Sequence, residues 1–368
     1  MRHAFLRSLV LPLGGLAALF TFSCGSDPAA PTGGGTTTGG DSGPPCPDNL
    51  IKAPGSEFCA TGAPAVNCTL VTGAHKNVVC GVPLPDPIAD LKRASPANVK
   101  EYAGTGSVKA DCFTPAGYPV KADPANSKTV QISGTVKIFA NGCESKLVKI
   151  EVFEVGEDGA LGAAAGTALT TAADCKSNGV ATDTKECGTR YECNYIYGGV
   201  PTEKELVVRT SGVNWTDFYD YSVFVPNSEI MNGEWKHDLR ALASTDYNAI
   251  AQAAIGGPLS AGNGALAGEV HDCGDVRLQN ATVNIDQPNK FLTYFTSNEA
   301  DPLPDTAAQG TSVLGIYAAL DVAPGPVSVA ALGTVDGKVT TLGHYRARVF
   351  PNSVSIVTFR GLKPFQVP

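Results

Sequence analysis

The chain has little charge, few aromatic rings and few histidines. Charged residues are 17% of the 368, and acidic ones outnumber basic ones 35 to 27, giving a net charge of -8. Nucleic-acid binding as a general role is disfavoured, because it relies on clustered Lys and Arg to neutralise phosphates. The histidines, His3, His75, His237, His271 and His344, are scattered. No Cys-x-x-Cys, His-Glu-x-x-His or Asp-rich calcium loop occurs, so a zinc or calcium site has no local motif. The Gly-x-Ser-x-Gly elbow, the phosphate-binding glycine loop and the dinucleotide fingerprint are missing too. The expectation is a protein that is not an enzyme and carries no cofactor. Acidic pairs such as Glu154 with Glu157, or Asp217 with Asp220, read as solvated strand or turn positions.

What is present begins with an export layout. Arg2 and Arg7 precede the apolar run Leu9 to Phe22, and Ser23-Cys24-Gly25-Ser26 follows directly. The run is about 14 residues, whereas a helix that crosses a hydrocarbon core needs ~20. Residues 26 to 45 are Gly, Thr, Pro and Ser rich and can bury almost nothing, as a flexible tether does. Thr21-Phe22-Ser23-Cys24 resembles the bacterial lipobox, in which cleavage before the Cys leaves it as the lipid-bearing first residue. The resemblance implies acylation at Cys24, a lipid bilayer as partner, and an extracytoplasmic, membrane-anchored location, the outer membrane in a Gram-negative host. Acylation of this kind supplies more than one chain, and two or more buried chains make attachment lasting.

Eleven cysteines less Cys24 leave ten, an even number, and in an exported protein the default is disulfides. The candidates are Cys46, Cys59, Cys68, Cys80, Cys112, Cys143, Cys175, Cys187, Cys193 and Cys273. The first four fall in a stretch with few large apolar side chains, where crosslinks substitute for a core. The last six allow fifteen pairings, and the sequence does not choose among them. His271-Asp272-Cys273 is the one local cluster with ligand chemistry. It reads as a disulfide at Cys273 beside an exposed His271.

With 41 glycines and 26 prolines, long helices are disfavoured and turn-punctuated strands favoured. Alternation predicts strands at Val130 to Ile138, Leu147 to Val155, Glu205 to Arg209 and Tyr219 to Val225. The pattern then returns. Gly134-Thr-Val136 and Leu147-x-x-Ile150-x-Val152 correspond to Gly268-Glu-Val270 and Leu278-x-x-Ala281-x-Val283. Pro226-Asn227-Ser228 likewise corresponds to Pro351-Asn352-Ser353. Landmarks recurring in one order argue for duplication. Between the units, Leu239-x-x-Leu242 and Tyr247-x-x-Ile250-x-x-x-Ala254-Ile255 before Gly256-Gly257-Pro258 form a helical stripe with a stop.

The expected fold is all-β: two tandem β-sandwich domains joined by a short helical segment, with a small disulfide-rich N-terminal region. The boundaries read as signal 1–23, tether 24–45, disulfide-rich region 46–110, first sandwich 111–235, helical linker 236–264 and second sandwich 265–368. An insertion at 159–185 reads as a surface excursion, and the last domain, from Ala261 on, is expected to fold alone.

The second unit resembles the carboxypeptidase regulatory-like family, a transthyretin-like sandwich among the carbohydrate-binding-like folds. The residues that carry this are Leu266-Ala-Gly268-Glu-Val270, Ala281-Thr-Val283-Asn-Ile285 and Val322-Ala-Pro-Gly325-Pro-Val-Ser-Val329. The resemblance implies accessory domains without catalytic residues. The expected role is structural, adhesive or display, with a surface protein or glycan as partner. Two alternatives are a carbohydrate- or other ligand-binding surface protein and the accessory modules of a secreted enzyme. For the binding reading, Tyr195, Tyr197, Trp215, Tyr219, Tyr221 and Tyr294 are candidate rings for stacking on a sugar, provided they face solvent.

Overall fold

The computed structural model describes residues 51–52, 77–139, 147–171, 176–181, 189–299 and 302–367; for 51–52, 176–181, 189–192 and 222 it describes the backbone alone. Cys24, Cys46, Cys59, Cys68, Cys143, Cys175 and Cys187 lie outside the described residues, as do the signal and the tether.

The described residues are mostly strand, with one α-helix among them, as an all-β chain requires. Short strands come first: β1 (Ile51–Lys52), β2 (Asn77–Val79), β3 (Val82–Leu84) and β4 (Lys92–Arg93). The first repeat follows as β5 (Thr129–Ile138), β6 (Lys149–Val155), β7 (Leu161–Thr170), β8 (Lys176–Ala181), β9 (Thr189–Pro201), β10 (Glu205–Gly212), β11 (Trp215–Phe224), β12 (Glu234–Lys236) and β13 (Leu239–Ala243). Helix α1 (Ser244–Ile255) leads to the second repeat. That repeat comprises β14 (Gly264–Glu269), β15 (Leu278–Gln279), β16 (Thr282–Ile285), β17 (Phe291–Phe295), β18 (Pro304–Asp305), β19 (Ile316–Val322), β20 (Gly325–Val335), β21 (Lys338–Val349) and β22 (Ser353–Ile356).

The two repeats pair their strands in the same way. In the first, β10 lies antiparallel between β6 and β11, while β5 pairs antiparallel with β9 and parallel with β12 and β13. In the second, β20 lies antiparallel between β16 and β21, while β14 pairs antiparallel with β19 and parallel with β22. The Pro-Asn-Ser landmark precedes β12 in one copy and β22 in the other. Asn352 adopts φ 51° in its turn, a left-handed conformation that Asn tolerates better than most residues.

Period-two alternation explains the strands. β5 turns Val130, Ile132 and Val136 into a core that also holds Ile150, Val152, Leu206 and Val208. A second core does not respect the repeat boundary. Val207, Tyr219 and Tyr221 of the first repeat pack in one cluster with Val283, Val329 and Tyr345 of the second. The sheet crosses the boundary as well, because β22 lies parallel to both β14 and β11, with Phe218 opposite Val354 and Asp220 opposite Ile356. A disulfide adds a covalent tie between Cys112 and Cys273. Cys80 and Cys193 are also disulfide-bonded.

Three expectations are revised. Leu239 to Ala243 is strand rather than helix: Leu239 and Ala241 are buried in the first repeat's core, so pairing with β5 overrides the helical spacing. Helix α1 stops as expected at Gly256, whose φ of 71° suits glycine and whose N–H bonds back to the Gln252 carbonyl. The region 77–110 does not rest on crosslinks alone. Val79, Val82 and Leu84 pack on Ala330 and Leu332 of the second repeat, β4 pairs with β15, and Asn284 donates to the Pro83 carbonyl at 2.6 Å. The insertion, finally, contributes β7, an edge strand with mostly exposed side chains that pairs with β6.

Candidate functional site

The rings that the sequence offers as a sugar platform are core residues. Tyr195, Tyr197, Tyr219, Tyr221 and Tyr294 expose no more than 5% of their surface, and Trp215 is half-buried. The reason is the direction of alternation: on β9 it is Ile196, at 60% exposure, that faces outward. Each buried hydroxyl then needs an internal partner. Tyr195 donates to the His237 carbonyl at 2.7 Å, Tyr197 to the Ala165 carbonyl at 2.9 Å, and Tyr221 to the Gly159 carbonyl. Tyr219 stacks on Phe350 with centroids 4.2 Å apart. These six residues do not form a stacking surface.

His271 is likewise fully buried, not exposed. Its Nε2 lies 2.7 Å from Glu269 Oε2 and its Nδ1 2.6 Å from Asp275 Oδ1. With both ring nitrogens taken and Cys273 in a disulfide, this triplet cannot act as a ligand set or a base. It anchors an ion network instead. Arg277 donates to Glu269 Oε1 at 2.9 Å and to Glu299 Oε1 at 3.0 Å, and Arg360 bonds Asp275. Burial acts to raise the Glu269 pKa, but the His271 hydrogen bond and the Arg277 charge outweigh it and hold the carboxyl well below the usual range. Tyr102, at φ 53°, sets its ring against His271 and within cation–π reach of Arg277 and Arg360, at 5.4 and 5.9 Å.

This network borders a cleft of 1680 Å³, larger than the ~300–1,000 Å³ of ordinary small-molecule pockets. Its floor is one face of the sheet that joins the repeats, and register orders that face into rows. The first row, Leu320, Ala265, Val354 and Phe218, is apolar and sits with Tyr247 and Ile250 of α1 in one hydrophobic cluster. Two residues along every strand, the next row is Ala318, Ala267, Ile356 and Asp220; Arg240 of β13 also lines the cleft. One step further come Ile316, Glu269 and Thr358, and then Arg360. The floor therefore grades from apolar to ionic over the four residue steps from Ala265 to Glu269, about 13 Å at ~3.3 Å per residue.

Most of the charges here are committed. Arg240 bonds Glu101, which also lies 3.5 Å from Lys137, and Lys137 pairs with Asp238 at 3.0 Å. Asp220, Lys363 and His237, which also line the cleft, are not. Asp220 and Lys363 make no side-chain hydrogen bond or ion pair among the described residues, and His237 Nε2 is a buried atom without a partner. Burial raises Asp220 to about 6 against the opposing charges of Arg360, Lys363 and Arg240. Burial and the Arg360 charge lower Lys363 to about 8, and burial, again helped by Arg360, lowers His237 to about 4. The His237 ring stacks on Trp235 with centroids 4.7 Å apart.

Sequence reading missed this site. The usable signal is a strand whose inward positions turn from apolar to charged, as in Ala265-x-Ala267-x-Glu269, Phe218-x-Asp220 and Val354-x-Ile356-x-Thr358-x-Arg360. Asp217 and Asp220, an acidic pair in the sequence, are separated by this geometry: Asp217 pairs with Arg209 at 2.5 Å, and Asp220 lines the cleft.

No family model matches the chain, and no curated protein does. Among solved structures it is similar to the shaft pilin SpaA from Lactobacillus rhamnosus GG, at 9% identity and a TM-score of 0.18, over 64% of this chain and 99% of that one. A leucine-rich repeat protein from Bacteroides thetaiotaomicron is similar at 9% identity and a TM-score of 0.18, over 63% of this chain and 26% of that one. Similarity at this level carries no argument about function.

Proposed function

We propose that this chain is an extracytoplasmic lipoprotein, held to a membrane by acylated Cys24, whose folded part has a structural or display role. The observation that carries the display reading is the joining of the repeats: a shared core, a shared sheet through β11, β22 and β14, and the Cys112–Cys273 bond. Such a body suits presentation at a distance from a surface, because interfaces of this apolar, hydrogen-bonded kind do not flex as linked domains do. The matching order of strands supports reading the repeats as two sandwiches of the carboxypeptidase regulatory-like kind. Attachment is tested in a bacterial host with a fatty-acid analogue. Wild type should be labelled and membrane-bound, and Cys24→Ser should lose both properties. Equal labelling and fractionation of the two would refute the anchor.

A second reading, ligand binding, is favoured by the cleft. A graded floor with ionisable groups left without protein partners is the arrangement expected of a binding site rather than of a packing defect.

A further inference from the structure

We propose that the cleft binds an amphipathic anion, a long-chain carboxylate whose head meets Lys363, Arg360 and Arg240 and whose chain lies over Ile356 and Ala267 toward Tyr247 and Ile250. This deepens the ligand-binding reading and rests on it.

The choice of ligand follows from what the cleft leaves unmatched. Its apolar wall is continuous with the floor: Ala267, Ile356, Tyr247 and Ile250 are only partly buried, and all four line the open volume. A ligand that covers them removes apolar surface from water, which favours binding in proportion to the area covered. At the other end the carboxylates are spoken for. Glu101 is bonded to Arg240, Asp275 to Arg360 and His271, and Glu269 to Arg277 and His271. The ammonium of Lys363 makes no direct ion pair among the described residues; burial and the Arg360 charge disfavour its charge more than the nearby Asp220 and Asp275 favour it. A carboxylate seated there supplies a direct hydrogen-bonded counter-charge in a place where charge-assisted hydrogen bonds are strong. Asp220 sets the limit on this complementarity, because once ionised it repels an incoming anion. A neutral polyol would leave Lys363 without a direct counter-charge, and a cationic amphiphile would be repelled by Lys363, which has no direct ion pair to offset it.

Isothermal titration of the chain from Gly40 to Pro368, one compact unit, tests the proposal with dodecanoate below its micellar concentration. Near-ultraviolet circular dichroism serves to show that the fold survives. One dodecanoate should bind per chain, acetate should not bind measurably, and dodecyltrimethylammonium should bind at least about ten-fold more weakly. Lys363→Met should weaken dodecanoate about ten-fold or more, the scale of one hydrogen bond to a charged group, while Asp220→Asn should strengthen it at neutral pH. Equal affinity for the ammonium probe, or an unchanged Lys363→Met variant, would overturn the anion assignment. Binding of maltoheptaose without dodecanoate binding would do the same and leave the ligand-binding reading standing. If none of the probes binds, both the assignment and that reading fall.

Discussion

Tyr317 donates its hydroxyl proton to the Val357 carbonyl at 2.7 Å, and that oxygen lies where a Cβ on Gly268, opposite Tyr317 in the sheet, would have to be. The first repeat contains the same lock. Tyr195 donates to the His237 carbonyl at 2.7 Å, Gly134 sits opposite Tyr195, and a Cβ on Gly134 would fall on the His237 oxygen. In both copies the glycine lets the returning parallel segment approach, and the tyrosine satisfies the carbonyl that this approach buries. The correspondence of Gly134 with Gly268 thus has a physical cause beyond chance alternation.

Gly134→Ala and Gly268→Ala should each destabilise by about 3 kcal/mol, the upper range for overpacking, because the clash is with backbone that cannot yield without breaking the tyrosine bond. Tyr195→Phe and Tyr317→Phe should each cost about 1–3 kcal/mol by leaving a buried carbonyl unpaired. Urea unfolding of the four variants measures this. Glycine variants within 0.5 kcal/mol of wild type, a change as small as that expected of an ordinary surface substitution, would contradict the lock.

The Cys112–Cys273 bond spans 161 residues, so it restricts a long loop of the unfolded chain. Replacing both residues with Ala should lower stability by about 2–4 kcal/mol while leaving the fold intact. Peptide mapping under non-reducing conditions should recover the linked pair. A double variant that melts with wild type would show that the crosslink is not present in the protein.

Glu205 carries a pH signature. Burial raises its carboxyl to about 7, opposed by the hydrogen bond from Tyr345. The folded state therefore holds this proton more tightly than the unfolded state does. The resulting contribution to stability is fully present below the unfolded pKa and is lost as pH rises through 7. Glu205→Gln keeps an acceptor for Tyr345 and removes the ionisation, so the variant should melt higher than wild type at pH 8 and lose that part of the decline between pH 5 and 8. Parallel pH dependences for the two proteins would contradict the assignment.

Much of the strand pattern could be read from the sequence. Val130 to Ile138, Leu147 to Val155 and Tyr219 to Val225 match β5, β6 and β11 to within a few residues, because one-sided burial imposes a period of two. Alternation does not reveal which face is inner, and so it leaves Tyr195 and Tyr197 open to either reading; in the fold it is Ile196 that faces outward. Pairing across distant segments was equally hidden. Nothing local to Ser353–Ile356 announces that it will lie between β14 and β11, and without that placement neither the shared core nor the cleft exists. Leu239 and Leu242 fit a helical spacing and a strand alike, and contact with β5 decided between them. The burial of His271 depends on Glu269, Asp275 and Arg277 closing around it, a charge balance that spacing alone does not disclose.

A chain cut at Ala261 would test the sequence expectation of an autonomous last unit. The fragment 261–368 would lose Val207, Tyr219 and Tyr221 from its core and would expose β22 as an edge. With the lone Cys273 replaced by Ser, it should be markedly less stable than the same strands in the longer chain, as judged by its denaturant midpoint. An equal midpoint would show that the shared core contributes nothing to it.

The central claim, that two copies of one β unit form a single body, is tested most directly by native-state hydrogen exchange on Gly40–Pro368. Amides in β5, β10 and β11 and those in β14, β20 and β21 should share their highest opening free energy and the same denaturant dependence, since a break in either copy breaks the common sheet and core. Two separate plateaus, one for each repeat, would contradict the claim.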